Sequence, residues 1–238
     1  MSLEPEMCGS RWLMALVASI AMGAAAAAEP DAEYAVRWKS TEGGPATLDK
    51  AAALLQVDGP PTVYSIRYFS SKKAAGVSAP VPILRERQSK KKTDVTWKYR
   101  SAVGWADLPD GAWCPLEGKT KPKDEIDVTV QEGDAVRRVY SRSCTTKASL
   151  DVALPAAIVG PQQGCTATMT RRESADESVT IEAWKLAGEQ AVFLEVSKRG
   201  ADTPAALAAF RSEVVDKLLA AGAHPLDRSK TELGTECK

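Results

Sequence analysis

The sequence has a single histidine, His224, and no Cys-x-x-Cys motif. A nucleophilic triad needs an imidazole beside its Ser or Cys, and a structural zinc centre needs clustered Cys and His ligands. His224 stands next to Pro225 in a polar tail, so both kinds of site are disfavoured. An excess of one charge is missing too, since 31 Lys and Arg balance 31 Asp and Glu. Global charge therefore argues for neither a nucleic-acid binder nor a membrane-surface protein, and any anion site must come from local arrangement. No internal repeat or interdomain linker is present, and low complexity is confined to one alanine-rich run near the amino terminus.

That run, Trp12 to Ala28, follows Arg11 and ends in Ala26-Ala27-Ala28 before Glu29-Pro30. It has the three-part form of a secretory signal peptide and falls short of the roughly 20 apolar residues that span a bilayer. The reading is a cleaved leader, 1–28, and an exported single domain, 29–238, in the periplasm or secreted, with no membrane attachment afterwards. Without Glu4, Glu6 and Arg11 the domain carries 30 Lys and Arg against 29 Asp and Glu. Cys8 leaves with the leader. Cys114, Cys144, Cys165 and Cys237 remain, and an even count in an oxidising compartment reads as two disulfides with three possible pairings.

Period-two alternation dominates the rest. Glu33 to Lys39 alternates Tyr34, Val36 and Trp38 with Glu33, Ala35, Arg37 and Lys39, giving one dry and one mostly charged face. Further strands are expected at 62–71, 83–87, 96–100, 125–131, 135–145, 166–172, 178–186 and 191–198. A short helix should start near Thr47, Gly104 to Lys123 reads as a long loop tied down by Cys114, and Leu150 to Gly164 as a buried connection or short helix. Pro204 to Ala221 is the one long helix, with Leu207, Phe210, Val214 and Leu218 on one side and Gly222 at its end. Eight or so strands and one long helix predict a mainly β, α+β domain built as an antiparallel eight-stranded barrel or tunnel.

The stretch from Pro80 to Arg100 is the centre of the functional reading. Arg85 and Arg87 lie two apart, as do Lys98 and Arg100, with Ser89 to Thr93 a turn between them. Side chains at i and i+2 share a strand face, so a hairpin gathers four cations. Facing like charges destabilise a sheet unless water or a polyanion screens them.

Several stretches resemble, in order, the CYTH domains or triphosphate tunnel metalloenzymes. Glu33 to Trp38 is similar to the Glu-x-Glu-x-Lys signature, with Ala35 for the second Glu and Arg37 for Lys. Tyr68-Phe69-Ser70-Ser71 is similar to Tyr-Phe-Asp-Thr without its Asp. Leu84 to Arg87 resembles Leu-Arg-x-Arg, Thr96 to Arg100 Thr-x-Lys-x-Arg, Glu125 to Asp127 Glu-x-Glu, Leu194 to Lys198 the late Glu-containing strand, and Ser229-Lys230 the closing Ser-Lys. The resemblance implies an eight-stranded antiparallel tunnel that binds a phosphorylated small molecule or polyphosphate. It implies phosphate contacts from Arg37, Lys39, Arg85, Arg87, Lys98, Arg100, Arg142 and Arg171, a catalytic role for Glu33, Glu125 and Asp127, and Mg2+ or Mn2+ on Glu33, Glu125 and Glu195. Ala35 and Phe193 stand where the family usually has carboxylates.

The expected function is a metal-dependent hydrolase of triphosphate or inorganic polyphosphate. Two alternatives accompany it: a phosphate- or polyanion-binding module that has lost metal and turnover, and a disulfide-tied structural protein whose Glu125 and Asp127 merely balance Arg85 or Lys98. Trp38, Trp97, Tyr99 and Trp184 are expected to face outward and pack on the Pro204 helix.

Overall fold

The computed structural model describes residues 31–70, 80–154 and 162–235; the expected leader and Cys237 lie outside them. The strands are β1 (Asp31–Lys39), β2 (Thr62–Ser70), β3 (Ile83–Gln88), β4 (Thr93–Ser101), β5 (Thr120–Val130), β6 (Val136–Thr146), β7 (Gln162–Glu173), β8 (Val179–Leu186) and β9 (Phe193–Ala201). They close into one barrel in the order β1-β5-β6-β4-β3-β2-β7-β8-β9. This is the closed tunnel that the CYTH resemblance implies, with nine strands where eight were expected. The odd count has a consequence: a closed ring of nine strands cannot alternate direction throughout. One pair must be parallel, and it is β1 with β5.

Polar and apolar sides are the reverse of an ordinary barrel. Outward positions Tyr34, Val36 and Trp38 of β1, Ile126, Val128 and Val130 of β5, and Leu194 and Val196 of β9 are buried beneath helices. The covering elements are α1 (Leu48–Leu55) and a helical run made of α3 (Pro204–Phe210), a π-helical turn (Arg211–Val215) and α4 (Asp216–Ala220). The single α-helix expected over this run is therefore interrupted by one π turn, the usual form in which that geometry occurs. Phe210 is fully buried, with its ring centroid 5.9 Å from that of Tyr34. Burying side chains of this size contributes about 1.5–3 kcal/mol each. Thr47 caps α1 by accepting from Lys50 N at 3.2 Å, and Thr203 caps α3 by accepting from Ala206 N at 3.1 Å. The run ends at Gly222, with φ +85°. Gly43 packs against it so closely that a Cβ there would meet the Gly222 carbonyl oxygen at 2.2 Å.

A second outer cluster joins Phe69, Leu84, Val95, Trp97 and Leu116 with α2 (Leu150–Ala153), fastened by the Cys114–Cys144 disulfide. Cys165 is disulfide-bonded as well. Of the four aromatic residues expected against the Pro204 helix, only Trp38 belongs to that cluster. Trp97 and Tyr99 lie under the Cys114 loop, where Tyr99 meets Trp113 edge-on at 6.4 Å. Trp184 points inward, because it shares β8 parity with Glu182, which lines the bore.

The interior is divided along the barrel axis. At one end Ile66, Ala167, Met169, Trp184, Leu186 and Phe193 form an apolar plug, completed by Leu233 of α5 (Lys230–Thr235). A capping box sets this helix in place: Glu232 N donates to Ser229 Oγ at 3.2 Å, and Ser229 N donates to Glu232 Oε2 at 2.6 Å. Arg137 Nη2 holds Glu232 Oε1 at 2.8 Å, and Arg100 Nη1 donates to Ser229 Oγ at 3.3 Å. Beyond the plug the bore is polar.

Candidate anion tunnel and carboxylate group

The polar part of the bore is a cavity of about 240 Å³. Nine cations line it, Arg37, Arg85, Arg87, Lys98, Arg100, Lys123, Arg171, Arg199 and Lys230, against four carboxylates, Glu33, Glu125, Asp127 and Glu182. Strand parity brings them together. Register places Glu33 beside Arg199 and Asp127, Arg37 beside Glu195, and Arg171 beside Glu182.

The β3–β4 hairpin gathers its four cations as expected but staggers them. Arg85 faces Thr96, Arg87 faces Asp94, and Lys98 faces Ile83. Direct cross-strand repulsion is thus avoided. Arg87 Nη2 holds Asp94 Oδ2 at 3.1 Å, and its guanidinium lies 5.1 Å from the Tyr64 ring centroid.

Glu125 and Asp127 sit in the basic half. Lys98 Nζ is 3.1 Å from Glu125 Oε1 and 3.3 Å from Asp127 Oδ2, Arg100 Nη2 is 2.9 Å from Asp127 Oδ2, and Lys123 pairs with Glu125. Burial opposes the Glu125 charge, but Lys98 and Lys123 outweigh it and hold this carboxyl well below its usual range. Glu33 is the opposite case. Burial pushes its pKa up, Lys230 pulls against that, and Glu125, Glu195 and Asp127 push further in the same direction as burial. Among the described residues Glu33 enters no ion pair. It is the carboxylate whose oxygens are available.

Glu33, Glu125 and Asp127 can each bring one oxygen within 4.8 Å of the others. Three hard oxygen donors suit Mg2+ or Mn2+. In a Mg2+ octahedron neighbouring oxygens stand about 3 Å apart and opposite ones about 4.2 Å, so the three side chains would have to close on such an ion. Glu195 lies outside this group, with Asp127 in the position that the resemblance gave it. Its carboxylate is fully buried and pairs with Arg37, and its Oε1 is 2.5 Å from Lys230 Nζ.

Arg37, Arg85, Arg87, Lys98, Arg100 and Arg171 are brought into the cavity; Lys39 and Arg142 are not. Lys39 ends β1 and pairs with the exposed Glu42 at 2.7 Å. Arg142 falls on the outward parity of β6, between the inward Ser141 and Ser143, and is held by Asp110 at 2.7 Å and Asp124 at 2.8 Å.

Three lining cations were missed as site residues. Lys123 and Arg199 continue the inward parities of Glu125 and Glu195, because β5 starts at Thr120 and β9 runs to Ala201, beyond the strands expected at 125–131 and 191–198. Lys230 had no signal beyond the Ser-Lys resemblance, because α5 carries it into the bore from outside the sheet. There its Nζ is 2.8 Å from Glu182 Oε2 and 5.6 Å from the Trp184 ring centroid. Burial lowers its pKa, yet Glu182 and Glu195 more than offset that and raise it. Burial likewise opposes the Glu182 charge, and Lys230 and Arg171 bring that carboxyl down to about 2.

Two cations have no counter-ion. Among the described residues Arg85 and Arg199 enter no ion pair, and Arg85 Nε is buried without a hydrogen-bond partner. A buried guanidinium nitrogen left so costs on the order of 1–3 kcal/mol.

No protein-family model matches the chain, and no curated protein does. Solved structures do. One is a Pyrococcus horikoshii protein at 12% identity, covering 84% of this chain and 97% of that one with a TM-score of 0.46. A second, from Hippeastrum, is described as a candidate adenylyl cyclase with a dominant triphosphatase activity; it is 11% identical over 87% of this chain and 97% of its own, with a TM-score of 0.48. A third is a candidate adenylate cyclase from Vibrio parahaemolyticus, 13% identical over 86% and 98%, with a TM-score of 0.41.

Proposed function

We propose that the protein is an exported triphosphate-binding enzyme that hydrolyses phosphoanhydride bonds of tripolyphosphate or short polyphosphate inside the bore. The observation that carries this reading is that two of the nine lining cations, Arg85 and Arg199, enter no ion pair among the described residues, even with Glu195, Asp94 and Glu173 behind the lining pairing with Arg37, Arg87 and Arg171. A closed interior with two such cations is stabilised by a bound anion. Arg suits the task because its planar fork meets two phosphate oxygens at once. The Cys114–Cys144 disulfide supports export.

Arg85 and Arg87 on β3, Lys98 and Arg100 on the adjoining β4, Lys123 on β5 and Arg171 on β7 would neutralise phosphate oxygens from around the ring. Glu33, Glu125 and Asp127 would hold a divalent cation, which supplies charge neutralisation at the phosphoryl oxygens and orients water. Glu33, which enters no ion pair among the described residues, would also orient a water beside that cation. Lys98 and Lys123, now on the carboxylates, are within reach of both partners.

The test is phosphate release from tripolyphosphate and from a nucleoside triphosphate by the mature protein with Mg2+ or Mn2+. Release that Arg85→Ala reduces at least tenfold is expected; release no greater than that of the variant refutes hydrolysis.

A second reading is favoured by Ala35 and by the ion pairs on Glu125 and Asp127. A binding module without turnover needs only the cations. It would bind tripolyphosphate equally with and without a chelator, with an affinity that falls as salt rises. Calorimetry beside the phosphate assay separates the two readings.

A further inference from the structure

The bore has one mouth among the described residues, and its rim is charged asymmetrically. The α5 end is filled by Trp184, Leu186, Phe193 and Leu233. At the other end β4 and β5 begin and β6 finishes, with Thr146 paired to Val95 on one side and Thr120 on the other. This register sets three lysine-bearing segments side by side: the β3–β4 turn with Lys90, Lys91 and Lys92, the start of β5 with Lys119 and Lys121, and Lys147 after β6. All six lysines are exposed, and only Lys92 enters an ion pair among the described residues, with Asp94 at 3.9 Å. Ser89 Oγ accepts from Lys91 N at 3.3 Å and Lys92 N at 3.2 Å, which fixes the turn that presents them. Lys121 keeps the inward parity of Lys123, about 7 Å further out along the strand, so cations run continuously from the cavity to the rim.

The β7–β8 turn, across the ring, exposes Asp176 and Glu177, with Asp176 held by Ser178 N at 3.1 Å, while Glu173 beside it pairs with Arg171 at 2.7 Å. A polyanion leaving the bore is drawn over the lysine arc and repelled from that turn.

We propose that the site takes long linear polyphosphate end-on: one terminus enters the blind bore, and the rest of the chain leaves over the Lys90–Lys92, Lys119, Lys121 and Lys147 arc. This rests on the reading of the bore as a phosphate site and extends it to chain length and direction. Among the described residues the α5 end is filled by apolar side chains, so the chain enters and leaves by the same mouth. The rim multiplies weak phosphate contacts along one ligand, which raises overall affinity without a new high-affinity site. Each added lysine contact also steepens the salt dependence.

The experiment measures binding of tripolyphosphate, of a linear polyphosphate tens of phosphates long, and of that polymer with both termini blocked by bulky amides. The proteins are wild type and the triple variant Lys91→Ala, Lys119→Ala, Lys147→Ala. Wild type should bind the long chain about tenfold tighter than tripolyphosphate, a difference of about 1.4 kcal/mol, and the blocked chain at least tenfold more weakly than the unblocked one. The variant should lose the long-chain advantage and the added salt dependence while keeping its tripolyphosphate affinity. Equal affinity for short and long chains with tripolyphosphate still bound would overturn the rim, and equal binding of blocked and unblocked chains would overturn end-on entry. Single-stranded oligonucleotide bound as tightly as polyphosphate would overturn the choice of polyanion. Absence of tripolyphosphate binding would refute the reading of the bore itself.

Discussion

Lys230 Nζ donates to Glu182 Oε2 at 2.8 Å, and this contact ties the carboxy-terminal helix to the inside of the barrel. Lys230 also touches Glu195, so one ammonium separates two buried carboxylates that face each other across β8 and β9.

Replacing Lys230 with Met should therefore destabilise the fold by about 3 kcal/mol, because removal of one partner leaves buried charge uncompensated. Adding Glu182→Gln should recover part of the loss. Thermal melts of the single and double variants check this, and a double variant less stable than Lys230→Met alone would contradict it.

Acid should loosen the same helix from its outer side. Burial opposes the Glu232 charge, but bonds from Arg137 and Ser229 bring its carboxyl down from 4.5 to about 2. A carboxyl lowered on folding contributes stability in full above the unfolded value, and that contribution fades as pH falls through the folded one. The Tm gap between wild type and Glu232→Gln should thus be constant above about pH 5 and close as pH falls from 4.5 to about 2. A gap independent of pH would assign the effect to shape rather than charge.

The strands were legible in the sequence, β1 from period-two alternation and the others from β-branched and aromatic runs between turns, but β5 begins at Thr120, inside the stretch to Lys123 that was expected to be loop. Closure was less so: the parallel β1–β5 pair joins segments some ninety residues apart, with no local signature. Strict parity put most of the expected residues on the inward face of the barrel. Arg142 and Trp184 were misplaced where parity was not followed, since Arg142 alternates with the inward Ser141 and Ser143, and Trp184 shares a face with Glu182. Lys230 shows a different limit, because its position depends on a capping box docking against Arg137 and Arg100, a tertiary contact that periodicity does not encode.

Loss of the Cys114–Cys144 disulfide should lower stability without emptying the bore. The bridge spans 30 residues, and closing a loop of that length contributes roughly 3–4 kcal/mol by restricting the unfolded chain. Cys144 faces outward into the cluster of Trp97 and Leu116, while its neighbours Ser143 and Thr145 face the cavity. The double variant Cys114→Ala, Cys144→Ala should melt at lower temperature and, while folded, bind tripolyphosphate as tightly as wild type. A parallel loss of affinity would show that the loop shapes the tunnel.

Arg85 offers the sharpest separation of stability from function. Its Nε is buried without a partner, and no carboxylate among the described residues pairs with it, so in the free protein it adds positive charge to a bore already in excess. Arg85→Met removes that repulsion and keeps much of the packing, and the variant should melt at or above the wild-type temperature without ligand. With tripolyphosphate the order should reverse, because ligand stabilisation grows as RT ln(1 + [L]/Kd) and the variant binds more weakly. A tenfold weaker Kd at saturating ligand takes away about 1.4 kcal/mol of that gain. A structural arginine would lower Tm in both conditions by the same amount. Crossing of the two melting temperatures as tripolyphosphate is added is the result that an unpaired, anion-binding guanidinium requires.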